Sequence, residues 1–229
     1  MEQPILFSGP MVRALLDGRK TQTRRVLKPQ PEPFDAMFSE DGRWWTGDAE
    51  TGDVHQELRL PYAIGDRLWV REAWHTSRHY DDLKPSEMGG EEPVQFIADG
   101  AVYAHAGSVD DLSGRARPSM FMPRWASRLT LIVTDVRVQR MQEIDAKDAC
   151  AEGALTLHPN GGLTPRDAFR DLWDSLNAPR GFGWDVNPWV AAYTFSVHRQ
   201  NVDQLPAPLS AASQDDAPAG GHSASGVTT

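Results

Sequence analysis

The sequence predicts an α+β fold: a small mixed β-barrel with short peripheral helices and loop-rich insertions. Three observations lead there. Strand-like stretches outnumber helical ones, the helical ones are short, and the regular βα alternation of a doubly wound sheet is absent. In chain order, Ile5-Leu6-Phe7 is a short apolar strand. From Pro10 to Asp17, Met11, Ala14 and Leu15 fall at helical spacing, with Pro10 near the first turn and Gly18 as the stop. Arg67 to Trp74 alternates as a strand does, with Leu68, Val70 and Glu72 against Trp69, Arg71 and Ala73. Val94–Ala98 and Ala101–His105 flank Asp99-Gly100, a hairpin signal. Leu129 to Val138 is β-branched, and its parity changes after Asp135, as at a bulge. Asp145 caps a short helix that stops at Gly153. Thr164-Pro165 opens another, with Ala168, Phe169, Leu172, Trp173 and Leu176 as its apolar face. Trp189 to Val197 is a closing strand. The segments 29–61 and 75–93 read as loop-rich insertions. One domain is expected over residues 1–200. The stretch 201–229, rich in Ala, Ser, Pro, Gly and Asp without an aromatic residue, is expected to be a disordered tail.

The chain has 229 residues, 40% of them hydrophobic and 24% charged, enough for one good core. No apolar run approaches the roughly 18 residues of a membrane span. The opening Met1-Glu2-Gln3-Pro4 has neither a basic nor an apolar leader region. A cytoplasmic protein without a membrane partner is the expectation. The single cysteine, Cys150, excludes an internal disulfide framework and Cys-rich metal sites. It is expected to be buried and inert. The net charge of −9 argues against broad, nonspecific nucleic-acid binding. The charge is nevertheless uneven. Met11 to Pro29 carries six basic residues against one acid, and Ser113 to Arg128 carries four arginines and no acid. A focused basic site on an acidic body suits a phosphate-bearing ligand.

No P-loop, GxGxxG, GxSxG or HExxH motif is present, so no cofactor is expected. His75 and His79 lie four apart but lack a clear third ligand nearby, and read as ordinary exposed histidines; no metal site is expected. The sharpest cluster is Gly18-Arg19-Lys20-Thr21-Gln22-Thr23-Arg24-Arg25. Run as a strand, it places Arg19, Thr21 and Thr23 on one face and Lys20, Gln22 and Arg24 on the other. Run as a turn, it lets Lys20 and Thr23 converge. A cation beside a hydroxyl suits anion binding, or activation of a Thr nucleophile by an amine. A solvated basic loop is the plainer alternative.

Ile5-Leu6-Phe7, a short helix and Gly18-Arg19-Lys20-Thr21-x-Thr23-x-Arg25 together resemble the opening of the ASCH domain, a member of the PUA-like superfamily. Gly65-Asp66-Arg67-Leu68-Trp69-Val70 resembles that family's turn into a barrel strand. Leu129 to Val138 resembles its long central strand, and Asp148-Ala149-Cys150-Ala151-Glu152-Gly153 its acidic helix. The resemblance spans roughly residues 4–199, leaving out the two insertions. Ser8 to Met11, Met122 to Arg128 and Trp184 to Trp189 are also similar to ASCH-like proteins common in phages and prophages. It implies a PUA-like barrel with a cleft for RNA or a modified nucleoside. The small ASCH enzymes that deacetylate N4-acetylcytidine use a Lys, a Thr and a Glu, which match Lys20, Thr23 and Glu152 here. Those enzymes are much shorter than this chain.

The resemblance thus implies an amidohydrolase in which Lys20 takes a proton from Thr23 and Glu152 serves the leaving amine or water. Burial and the neighbouring Arg19 and Arg24 are expected to lower the Lys20 pKa. Arg19, Arg24, Arg25, Trp69, Arg71, Glu72 and Trp74 are candidate ligand-binding residues, because arginine and aromatic faces hold nucleosides and single-stranded RNA. Core packing is the competing role for each tryptophan, and an ion pair with Arg71 or Arg25 that for Glu72. A non-catalytic RNA- or nucleotide-binding module and a metal-independent ribonuclease are the alternative functions. A closed, nucleoside-sized cavity favours the hydrolase, and an open basic groove favours the other two. The oligomeric state is not legible.

Overall fold

The computed structural model describes residues 1–32, 36–40, 42–103, 111–154 and 164–206. Its architecture is α+β. The elements in chain order are β1 (Glu2–Leu6), α1 (Gly9–Leu16), β2 (Gln22–Val26), β3 (Ala36–Glu40), β4 (Arg43–Gly47), β5 (Val54–Leu58), β6 (Arg67–Arg71), β7 (Trp74–His75), β8 (Val94–Phe96), β9 (Val102–Tyr103), β10 (Thr130–Arg140), α2 (Ala146–Ala151), α3 (Pro165–Asn177) and β11 (Trp189–His198). Five strands form a mixed sheet in the order β1-β6-β10-β11-β2, with β1 parallel to β6 and the other pairs antiparallel. Two smaller sheets are β3-β4-β5 and β7-β8-β9.

The long hairpin of β10 and β11 is the spine of the main sheet. Its register shifts between Val133 and Asp135, which is where the sequence parity changes. Leu131 and Val133 of β10 pack with Ile5, Leu68, Val70 and Tyr193 in the main core, and Val12 and Leu15 of α1 close it. A second core lies beside the sheet. There α2 and α3 bring Ala149, Ala168, Phe169 and Trp173 against Met141, Trp184 and Val190. A third joins Trp74, Phe96 and Met122 beneath the small β7-β8-β9 sheet.

β1 and β2 are the edges of the five-stranded sheet, and a side chain links them: Arg25 Nη2 donates to the Leu6 carbonyl at 3.1 Å. α1 stops at Gly18, whose φ of +71° turns the chain back towards the sheet. Lys20 then pairs with Glu152 in an isolated antiparallel bridge, and Thr21 N–H donates to Ala151 O at 2.8 Å. The end of α2 is thereby stitched to the chain entering β2. Between these pieces lies the cleft described below.

The segment 29–61 departs from its loop-rich reading, since β3, β4 and β5 form an antiparallel meander within it. The other insertion keeps to turns, with short 3₁₀ segments at Arg78–Tyr80 and Pro85–Glu87. The Asp99-Gly100 hairpin pairs Val94 with Tyr103 and Gln95 with Val102; Ala104 and His105 lie outside the described residues. Thr164 caps α3 as expected, but Leu176 is 52% exposed and Leu172 only half-buried. Cys150 is half-buried. Past β11, Asn201 Nδ2 donates to the carbonyls of Arg124, Trp125 and Ser127, and Val202 is buried. The rest of the expected tail, 207–229, lies outside the described residues. No helix among the described residues is long and apolar enough to cross a membrane.

Candidate functional site

A cleft of about 580 Å³ opens between two walls. One is built from Leu6, Phe7, Met11 and β2. The other is the face of α3 carrying Phe169, Leu172, Trp173 and Leu176. Its volume lies in the range typical of small-molecule pockets.

Lys20 and Glu152 lie at its buried end. Lys20 is 1% exposed and Glu152 3%. Lys20 Nζ donates to Glu152 Oε2 at 2.7 Å, to the Glu152 carbonyl at 3.0 Å and to the Gln22 carbonyl at 2.8 Å. The Phe7 ring lies 5.6 Å from the ammonium. Burial drives the Lys20 pKa below its ordinary value. Glu152 opposes this through its charge and hydrogen bond, while Arg25 and Arg24 reinforce it. The ammonium is thus held between the cost of its burial and the carboxylate it touches.

Arg24 braces the other carboxylate oxygen. Its Nη1 donates to Glu152 Oε1 at 3.1 Å and to Gln22 Oε1 at 2.7 Å, and its Nη2 to Asp148 Oδ2 at 2.7 Å. Asp148 also accepts from Gln22 Nε2 at 3.1 Å and Arg137 Nη2 at 2.9 Å. Asp148 and Glu152 are four residues apart on one side of α2, so a single helical face presents both acids to β2. Burial raises the Asp148 pKa, but the Gln22 hydrogen bond and the Arg24 and Arg137 charges outweigh it and hold the carboxyl below its ordinary value. Thr23, 4% exposed, lines the same cleft. Its side chain makes no hydrogen bond among the described residues.

The remaining candidates divide. Arg25 lines the cleft and sits 5.6 Å from the Phe7 ring. Arg19 does not line it, and pairs with Asp17 at 2.7 Å on the outer side of the turn. Arg19 lies in the turn after α1, before β2 begins, where its N–H donates to the Ala14 carbonyl at 2.9 Å. Trp69, Arg71, Glu72 and Trp74 lie away from the cleft. β6 ends at Arg71, and the chain crosses there into the small β7-β8-β9 sheet. The Arg71 guanidinium stacks 4.5 Å over Trp69 and donates to Met120 O. Trp74 is fully buried in the third core. Glu72 pairs with Arg128 at 2.8 and 2.9 Å, in place of the expected Arg71 or Arg25.

Sequence reasoning missed the hydrogen-bonding and ion-pair partners Asp148, Gln22 and Arg137, and the cleft residues Lys28 and Arg180. The four-residue spacing of Asp148 and Glu152 was the available signal. Nothing in the sequence linked Arg180, in the 3₁₀ turn that follows α3, to β2.

No family model matches the sequence, and no curated protein matches it. Among solved structures the chain is similar to an ASCH domain from Lactobacillus crispatus. That similarity has 11% identity and a TM-score of 0.37, covering 86% of this chain and 79% of that one.

Proposed function

We propose that this protein is an ASCH-type hydrolase of PUA-like fold that removes an acyl group from a modified cytidine such as N4-acetylcytidine. The observation that carries this reading is the buried Lys20–Glu152 pair at the end of a cleft that Thr23 also lines. The chemistry balances over these three groups. Lys20 passes a proton to Glu152 along their 2.7 Å contact, leaving an amine and a carboxylic acid. Thr23 Oγ1 attacks the acyl carbonyl and its proton goes to the Lys20 amine. Glu152 gives its proton to the departing cytosine nitrogen as the C–N bond breaks. Water then attacks the Thr23 ester. Glu152 takes a water proton, the ester C–O bond breaks, and the proton returns to Thr23 as the acid leaves.

The test is release of cytidine from N4-acetylcytidine, followed by chromatography. Thr23→Val is expected to lose at least about 100-fold in kcat, with Thr23→Ser restoring part of it. Glu152→Gln is expected to lose a comparable factor. A folded wild type without turnover overturns the reading. A specific observation favours binding without chemistry as the second reading: all three Lys20 Nζ protons already have acceptors, as in a purely structural ion pair. N4-acetylcytidine binding without turnover would select it.

A further inference from the structure

The cleft is strongly basic for a chain of net charge −9. Of its six ionisable side chains, Lys20, Arg24, Arg25, Lys28 and Arg180 are cations, and only Glu152 is acidic. Lys20 and Arg24 are neutralised at the buried end by Glu152 and Asp148. Arg25, Lys28 and Arg180 have no carboxylate partner among the described residues. Lys28 and Arg180 are exposed and Arg25 half-buried, so all three belong to the outer part of the cleft. Lys28 Nζ sits 5.5 Å over the Phe182 ring, which holds the exit of β2 against the turn that carries Arg180. The α3 wall between is apolar, with Leu172 and Leu176 turned out of the core. The cleft is therefore graded. An apolar wall suits a flat ring, and unneutralised cations at the mouth suit an anion attached to it.

We infer that the ligand is a nucleoside monophosphate, whose phosphate is held by Arg25, Lys28 and Arg180 while its base lies against the α3 wall. This deepens the proposed function, resting on the reading that the cleft takes a cytidine, and it replaces the free nucleoside with a phosphorylated one.

Calorimetric titration with cytidine, cytidine monophosphate (CMP) and inorganic phosphate tests it on the full chain. CMP is expected to bind at least about tenfold tighter than cytidine, and Lys28→Ala and Arg180→Ala each to reduce that advantage at least about threefold. Arg43→Ala, which removes an exposed cation outside the cleft, is expected to leave the advantage intact. Equal affinity for cytidine and CMP overturns the phosphate site and spares the cytidine reading. Absence of binding by either overturns both. Inorganic phosphate binding as tightly as CMP reduces the site to an anion patch and overturns the inference. A cytidine octanucleotide binding far tighter than CMP assigns the cleft to an RNA strand and overturns it as well.

Discussion

Lys20 and Glu152 are 132 residues apart in sequence and 2.7 Å apart in space. Neither could remain charged and buried alone, because an isolated ion taken out of water is far too costly. Arg24 and Asp148 extend the pair into an alternating chain of charge, each member within hydrogen-bond reach of the next. This chain gives a pH signature. The Asp148 carboxyl sits below its ordinary value of 3.8, so its stabilising contribution is present above that value and is lost as pH falls through its lower folded value. Asp148→Asn is accordingly expected to be destabilised relative to wild type at neutral pH. The gap should narrow as pH drops below about 4. Urea denaturation of both proteins across about pH 2 to 7 reads this, and a gap independent of pH would show that Asp148 acts through shape alone. At this scale the candidates Lys20 and Thr23 stood out as a cation beside a hydroxyl in one polar cluster, and Glu152 joined them only through motif order. Their electrostatic partners were not legible, because Gln22 and Arg24 meet Asp148 across more than 120 residues.

Elements place these side chains, and the junction of α2 with β2 is the critical one. Gly153 follows Glu152 with a φ of +83°, and a Cβ there would lie 3.1 Å from Ala14 Cβ and 3.3 Å from Lys20 Cβ. Gly153→Ala therefore adds a steric contact with two rigid atoms to the left-handed backbone penalty, and is expected to cost about 2–3 kcal/mol. Gly65 supplies the comparison. Its φ is +86° with nothing near the added carbon, so Gly65→Ala is expected to cost only about 1 kcal/mol. Urea midpoints rank the two, and equal losses would show that backbone conformation alone governs Gly153. Four strands of the main sheet were legible because they are apolar, alternate or are β-branched, whereas the polar β2 stays open between strand, turn and loop. The β3-β4-β5 meander was not legible. Trp44 and Trp45 are adjacent and break the period of two, and the first four residues of β5 are exposed, so it shows no apolar face. α3 shows the converse error. Its apolar periodicity through Leu172 and Leu176 was real, but that end of the face borders the cleft instead of the core.

The molecule as a whole sets a small basic cleft in an acidic body, with 23 basic and 32 acidic side chains. Composition alone led to the expectation of a focused site; it could not say which of two basic runs formed it. Placement and pairing together decide this. In the second run Arg124 pairs with Glu2 and Asp203, Arg128 pairs with Glu72 and Asp99, and Arg117 is buried with its guanidinium on the Tyr80 and Leu83 carbonyls, which leaves Arg115 exposed, whereas the first run brings Arg25 and Lys28 together at the cleft without a carboxylate partner among the described residues. The range of each field then separates small ligands from large ones. At about 0.15 M salt, charges beyond roughly 8 Å are screened, so a phosphate in the cleft responds mainly to the nearby cations. At about 0.01 M the screening length grows to roughly 30 Å, and the acidic body acts on whatever extends past the mouth. Lowering the salt is thus expected to tighten CMP binding. It should tighten binding of a twenty-residue RNA less, because most of that strand's phosphates lie over the acidic surface. A basic groove following a strand gives the reverse, with the RNA affinity rising far more steeply than that of CMP as salt is removed. Titrations of both ligands at the two ionic strengths decide between them. A steeper rise for RNA would mean that the local cations continue into a binding track, and that the acidic balance of the chain does not govern ligand size.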